Sequence, residues 1–225
     1  MGQALGDVLP LAVAIAVFPI PIIAVVLMLG SDRGTAKGFA FVLAWCVGLA
    51  AVGAIVLVLA GAVDATDEGE PATWANVLLL GLGLLALAAA VKQWRSRPRS
   101  GEETPVPKWM RTVDDFTIAK AGGAGIALSA LNPKNVLLTA AAATEIAEID
   151  LVAGQETVVL LVFVVIASVG VLTPLVLSLA LGDRSHELLD QGRGWMARNN
   201  AVIMAVLLLL IGAKLIGDAV SGFSV

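Results

Sequence analysis

Six stretches of apolar residues, each about long enough to cross a bilayer, constrain the fold of this chain more than any other feature. A transmembrane helix needs roughly 20 consecutive apolar residues. The composition agrees: 59% of the residues are hydrophobic, 14% are charged and the mean hydropathy is +0.94, whereas soluble domains average about 25% charged residues. The sequence therefore predicts an all-α membrane protein with six transmembrane helices, at about residues 8–30, 37–62, 73–92, 121–143, 156–181 and 199–220.

The basic residues lie on one side of the six predicted spans. Twelve of the 14 lysines and arginines occur in or beside the first, third and fifth connections, and the second and fourth connections carry none. Cytoplasmic loops of membrane proteins are enriched in such residues. We therefore predict a multi-pass protein of the plasma membrane with both termini extracytoplasmic. Three tryptophans at predicted span ends, Trp74, Trp94 and Trp195, are typical of an aromatic belt.

The third connection is long, polar and rich in proline. We interpret residues 95–120 as a cytoplasmic linker between two transmembrane halves, residues 1–94 and 121–225, of three helices each. Three is an odd number, so the second half would enter the membrane from the opposite side. If the halves are related, they form an inverted repeat, an arrangement found in many transporters.

Prolines interrupt the first and fourth predicted spans. Pro19 and Pro21 lie in the first, and Pro133 lies in the fourth. Proline lacks a backbone N–H and clashes with the preceding turn, so both helices are expected to break within the membrane. Asn132 would then cap a new helix that begins at Pro133. Two helix N-termini inside the membrane would favour an anion, although the first pair of prolines could instead form a kink that only shapes packing.

Lys134 lies about midway through the fourth predicted span. A charge there costs about 2.5–3.5 kcal/mol on insertion scales. At about 1.5 Å per residue either interface is roughly 15 Å away, too far for the side chain to reach. We favour a role in contacting an anionic group of a substrate over the structural alternative, pairing with helix C-terminal carbonyls. The predicted substrate-binding residues are Pro19, Pro21, Asn132, Pro133, Lys134 and Asn135, with the two asparagines hydrogen-bonding the anion.

Several function classes have no support in the sequence. The single cysteine excludes an internal disulfide and a cysteine metal cluster, a histidine-based metal site or Ser-His-Asp triad would have to use His186, and no Walker loop, Gly-x-Ser-x-Gly or HExxH motif occurs. We therefore expect no enzyme activity, no catalytic residue, no metal and no cofactor. The net charge of −4 gives no reason to expect nucleic acid. The expected partners are membrane lipids and an anionic lipid or small anionic substrate, with a homodimer as a further option.

The residues Phe18-Pro19-Ile20-Pro21-Ile22, the segment from Leu29 to Gly34, and Leu131-Asn132-Pro133-Lys134-Asn135 carry a family resemblance. With the six-span layout, they resemble the glycopeptidolipid- or sulfolipid-addressing (GAP or Sap) membrane proteins of actinobacteria, which are grouped with the LysE-type exporter superfamily. The resemblance implies export of a lipid or glycolipid, or help in that export. Ile20 stands where amino-acid exporters of the superfamily have glycine, which favours the lipid-associated branch.

Three hypotheses about function follow. The first is a secondary transporter that exports an anionic or headgroup-bearing lipid from a site at the membrane midplane, by rocking of one half against the other. The second is an exporter of a small organic anion or amino acid. The third is a scaffold without transport activity that recruits lipid-synthesis enzymes through the linker. The energy source is not evident, because no carboxylate pair lies deep within a predicted span.

Overall fold

A computed structural model of the protein describes residues 1–64, 73–97, 113, 115–147, 149, 151–152 and 154–223. These residues form eight α-helices, with no strand among them. The helices are α1 (Gly2–Ala16), α2 (Pro19–Leu29), α3 (Gly34–Asp64), α4 (Thr73–Arg95), α5 (Ile118–Ala130), α6 (Pro133–Ala147), α7 (Gln155–Leu181) and α8 (Ser185–Gly222), and one 3-10 turn, Gly182–Arg184, precedes α8.

In the described part of the chain, three helices are long and apolar enough to cross a membrane. They are Gly34–Ala60 within α3, Gln155–Leu181, which is the whole of α7, and Glu187–Gly222 within α8. The bent pair α1 and α2 adds a fourth if it is counted as one span. The all-α class and the membrane-embedded character are therefore confirmed, while the six spans and the location of the termini stay predictions.

Both predicted helix breaks are present. In the first, α1 ends at Ala16 and α2 begins at Pro19, with an angle of 50° between the two helices. In the second, α5 ends at Ala130 and α6 begins at Pro133. Each new helix starts with a proline at its first position, where the missing N–H would have no helical partner in any case.

The fifth predicted connection, residues 182–198, is mostly helical rather than a loop. Helix α8 already begins at Ser185 and continues into the last apolar segment. Its polar first turns form side-chain pairs along the helix: Gln191 donates to Glu187 at 3.3 Å, and Arg193 lies 3.4 Å from Asp190. Pairs at these spacings stabilise a solvated helix, so a polar composition was a poor guide to a loop here.

The first of two compact units comprises Met1–Ala65 and Pro105–Met196. Within it, α3 packs along α5, α6 and α7, and α1 packs against α6 and α7. Trp45 and Phe41 of α3 stack at 6.1 Å and are fully buried. The approach of α5 depends on glycine, because a Cβ at Gly125 would overlap the Phe41 carbonyl oxygen. Small residues at helix contacts allow this close packing in membrane proteins.

The second compact unit comprises Thr66–Thr104 and Ala197–Val225, and so contains α4 and the C-terminal part of α8. Gly83 and Gly212 bring the two helix backbones together, since a Cβ at Gly83 would lie 3.1 Å from the Gly212 oxygen. Lys214 and Asp218 pair at 3.2 Å one turn apart. Most of the predicted linker lies outside the described residues, and the division into two three-helix halves stays a prediction.

Candidate functional site: the two helix breaks

The first break leaves a carbonyl at the end of α1 without its helical donor. In a continuous helix the Phe18 N–H would bond to Ala14 O. Here Phe18 adopts an extended conformation before Pro19, and its N–H donates instead to Ile15 O at 3.2 Å. The Ala14 oxygen therefore lacks its helical donor at the negative end of the α1 dipole, in a buried position.

The second break is capped as the sequence predicts. The side chain of Asn132 accepts a hydrogen bond from the Lys134 backbone N–H at 3.1 Å, which satisfies one of the free donors in the first turn of α6. The side-chain amide of Asn135 donates to Leu128 O of α5 at 2.7 Å. A carbonyl near the end of α5 thus receives a partner from the start of α6, and this bond links the two half-helices.

Lys134 brings the two breaks together. Its ammonium donates a 3.0 Å hydrogen bond to Ala14 O and lies 4.3 Å from the centroid of the Phe18 ring. Both contacts suit a cation, because a helix C-terminal carbonyl carries partial negative charge and an aromatic face attracts an ammonium. The structural alternative weighed for Lys134, pairing with a helix C-terminal carbonyl, is therefore present in the protein.

Buried polar atoms without a partner lie on another face of α6. Asn135 and Thr139 are fully buried, and neither Asn135 Oδ1 nor Thr139 Oγ1 has a hydrogen-bond partner among the described residues. Their i, i+4 spacing places both on one side of the helix. A buried oxygen without a partner is costly and uncommon in proteins, so this face of α6 can accept a hydrogen bond from a further group.

The six predicted site residues occupy different environments. Pro19 and Pro21 are buried in the first turn of α2, Asn132 and Lys134 are half-buried, Asn135 is fully buried and Pro133 is exposed. The side chain of Lys134 joins the two breaks directly. Asn132 caps a helix and Asn135 bonds a carbonyl, so both asparagines already have structural partners.

Four residues at the breaks were not predicted as parts of the site. Ala14 contributes only its backbone oxygen, which no sequence pattern marks. Phe18 could have been singled out as an aromatic residue directly before a membrane proline, and Thr139 as a hydroxyl one turn after Asn135. Gly170 of α7 packs so closely on the first break that a Cβ there would overlap Ala16 O.

The positive character of this region has three sources: the Lys134 ammonium and the N-terminal ends of α2 and α6. An ammonium has three donors, and Ala14 O accepts from one of them. Within the part of the chain that the structure describes, no carboxylate pairs with Lys134. The arrangement can therefore bind a negatively charged group without first losing an ion pair.

A family match relates the chain to known proteins. No curated protein and no solved structure is significantly similar to it. The sequence model of one family, described as Sap, sulfolipid-1-addressing protein, matches residues 8–221, a range that includes both helix breaks and Lys134. The chain therefore belongs to the sulfolipid-1-addressing protein (Sap) family, as its resemblance to that family predicted.

Proposed function

We propose that this protein is a secondary transporter that exports an anionic or headgroup-bearing lipid or glycolipid across the plasma membrane. The observation that carries the proposal is the contact of Lys134 with Ala14 O and Phe18, which joins two broken helices at one cation. Family membership supports a lipid as the cargo, because the family is named for the addressing of a sulfolipid.

An anionic group on the substrate would neutralise the positive charge of Lys134. Ala14 O takes one of the three ammonium donors, and the Phe18 ring faces the same charge, so further donors stay available. A sulfate, phosphate or carboxylate could take the remaining ammonium donors and face the nearby helix N-termini. The Lys134 ammonium would then give up part of its hydrogen bonding with Ala14 O in order to contact the substrate. Substrate binding would therefore affect the conformation of the first helix break.

The proposed topology has six spans, with the basic connections in the cytoplasm and both termini outside. The bent pair α1 and α2 would form the first span, and α5 with α6 the fourth. Two related halves in opposite orientation would alternate access by rocking around the broken helices. The charge of the substrate in the membrane potential, or its concentration gradient, would supply the energy, since neither needs a carboxylate in the membrane.

The proposal is tested by lipid delivery in cells whose only copy of the protein is a variant. Lys134→Ala is expected to reach the membrane and to lose delivery of lipid to the outer surface, and Lys134→Arg to keep part of it. The matched control is Lys214→Ala, which removes the other lysine within a predicted span, a residue that pairs with Asp218. Equal delivery by Lys134→Ala and the wild type would contradict the proposal.

The scaffold hypothesis gives the opposite pattern in the same assay. If the protein only recruits enzymes, Lys134→Ala should deliver lipid normally and deletion of residues 95–107 should abolish delivery. Export of a small anion in place of a lipid would appear as flux of that anion in proteoliposomes, with unchanged surface lipid.

A further inference from the structure

The C-terminal end of α4 carries three exposed cations beside an exposed tryptophan. Lys92, Arg95 and Arg97 are all solvent-exposed, and Trp94 exposes 47% of its surface. The guanidinium of Arg97 lies 4.4 Å from the centroid of the Trp94 ring and donates to Trp94 O at 3.1 Å. The ring and the guanidinium thus form one ordered group at the helix end.

These cations continue an apolar face of the same helix. Leu84, Leu85 and Val91 are exposed. Lys92 follows Leu85 by seven residues and Arg95 follows Val91 by four, spacings that place each base above an apolar side chain on the same side of a helix. Towards the end of α4 the apolar side chains are therefore followed by basic residues and a tryptophan, as expected where a helix leaves a bilayer.

The three positive charges have no acidic partner among the residues that the structure describes. In the described ranges, no aspartate or glutamate pairs with Lys92, Arg95 or Arg97. Bases in a last turn interact favourably with the helix dipole, but three exposed bases beside an interfacial tryptophan exceed what one helix end needs. An anion from outside the described part of the chain could therefore bind them without displacing an ion pair.

We infer that the C-terminal end of α4 is a binding site for anionic phospholipid headgroups of the membrane surface. Phosphates would pair with Lys92 and Arg95, acyl chains would lie along Leu84, Leu85 and Val91, and the Trp94 ring would sit at headgroup level. Basic groups next to a transmembrane helix attract anionic lipid in this way. The inference rests on α4 crossing the membrane as proposed, but it does not require transport, and it uses none of the residues at the two helix breaks.

The test is retention of phosphatidylglycerol by the purified full-length protein, measured by native mass spectrometry against phosphatidylcholine of the same chain length. The wild type should retain phosphatidylglycerol in preference, and the variant K92Q/R95Q/R97Q should lose that preference. Each removed charge is worth about a fivefold change in affinity at low salt. Retention should also weaken as ionic strength rises.

A control variant with the same change in net charge distinguishes the loss of this local site from a general effect of reduced positive charge on lipid retention. Three exposed bases elsewhere serve for this purpose: K120Q, R184Q and R198Q. This control should keep most of the preference for phosphatidylglycerol. Equal retention of the two lipids by the wild type, or equal losses in the two triple variants, would overturn the inference. Loss of lipid delivery in Lys134→Ala would leave this result unchanged, so the two proposals fail independently.

The position of Trp94 gives a second measurement that does not depend on the triple variant. Brominated phosphatidylglycerol in nanodiscs should quench wild-type tryptophan fluorescence more than brominated phosphatidylcholine does. The excess should disappear in Trp94→Phe. Persistence of the full excess in that variant would place the anionic lipid elsewhere and contradict the inference.

Discussion

The Lys134 ammonium and the Ala14 carbonyl oxygen are 3.0 Å apart, although their residues are separated by 120 positions in the sequence. The carbonyl is available because the first helix breaks before Pro19, and the lysine lies in the first turn after the second break. The first break therefore provides a carbonyl oxygen that lacks its helical donor, and the second provides a cation with no carboxylate partner among the described residues. A substrate anion would compete for that cation.

Lys134→Met should destabilise the substrate-free protein. The substitution leaves Ala14 O without its side-chain donor, and an unpaired buried carbonyl costs about 1–3 kcal/mol. Lys134→Arg keeps a donor and should cost less. The measurement is the thermal unfolding midpoint in detergent. Lys214→Met is the control, because its partially exposed pair with Asp218 should contribute at most about 1 kcal/mol; an equal loss in both variants would contradict the structural role of Lys134.

Asn135→Asp should be more damaging than Asn135→Leu. Leucine removes the hydrogen bond to Leu128 O but also removes the unpaired Oδ1. Aspartate places a carboxylate oxygen against that carbonyl and introduces a charge into a fully buried position. We expect a loss of about 1–3 kcal/mol for leucine and failure of the aspartate variant to fold, assessed by size-exclusion profile. A well-folded Asn135→Asp would show that water reaches this face of α6.

Gly170→Ala should disrupt the packing of α7 on the first break. A Cβ at this position would overlap Ala16 O, which belongs to backbone and cannot rotate away. We expect a loss of at least about 1–3 kcal/mol, the usual cost of overpacking a core. Gly123→Ala is the control, because nothing lies within 4 Å of its Cβ position, and alanine in a helix should stabilise by about 0.5–1 kcal/mol. Similar effects of both substitutions would contradict the close packing at Gly170.

The sequence predicted the local features of the site better than its tertiary contacts. Proline chemistry is local, so both breaks and the Asn132 cap could be predicted from residue identity. The position of Lys134 showed that it needs a partner inside the protein, but its acceptor is a backbone atom of another helix. Such a contact depends on how α1 packs against α6, which periodicity does not encode. The start of α8 was missed because its polar turns are stabilised by side-chain pairs.

Thr139→Val should stabilise the substrate-free protein. The hydroxyl is fully buried and has no hydrogen-bond partner among the described residues, and valine has nearly the same shape without the desolvated oxygen. We expect a gain of about 1 kcal/mol. Thr144→Val is the control on the same helix, since that hydroxyl is exposed and donates to Ala140 O. A destabilised Thr139→Val would mean that the hydroxyl has a partner in the membrane, such as an ordered water.

Arg33→Gly should stabilise the tight turn between α2 and α3. Among the described residues other than glycine, Arg33 is the one with a positive φ, 53°. A side chain in this conformation costs about 1–2 kcal/mol, and part of that gain is lost because glycine has more freedom when unfolded. We therefore expect a net gain of about 0.5–1 kcal/mol in the thermal unfolding experiment.

The comparison variant for this turn is Arg33→Ala, which removes the charge but keeps the strained conformation. It should not stabilise the protein, and Arg33→Asn should fall between alanine and glycine, because asparagine tolerates a positive φ. The same turn is held by Lys37, whose ammonium donates to Ser31 Oγ at 2.9 Å, and that bond should persist in all three variants. If alanine stabilises as much as glycine, the cost at this position comes from the charge of Arg33 and not from its backbone.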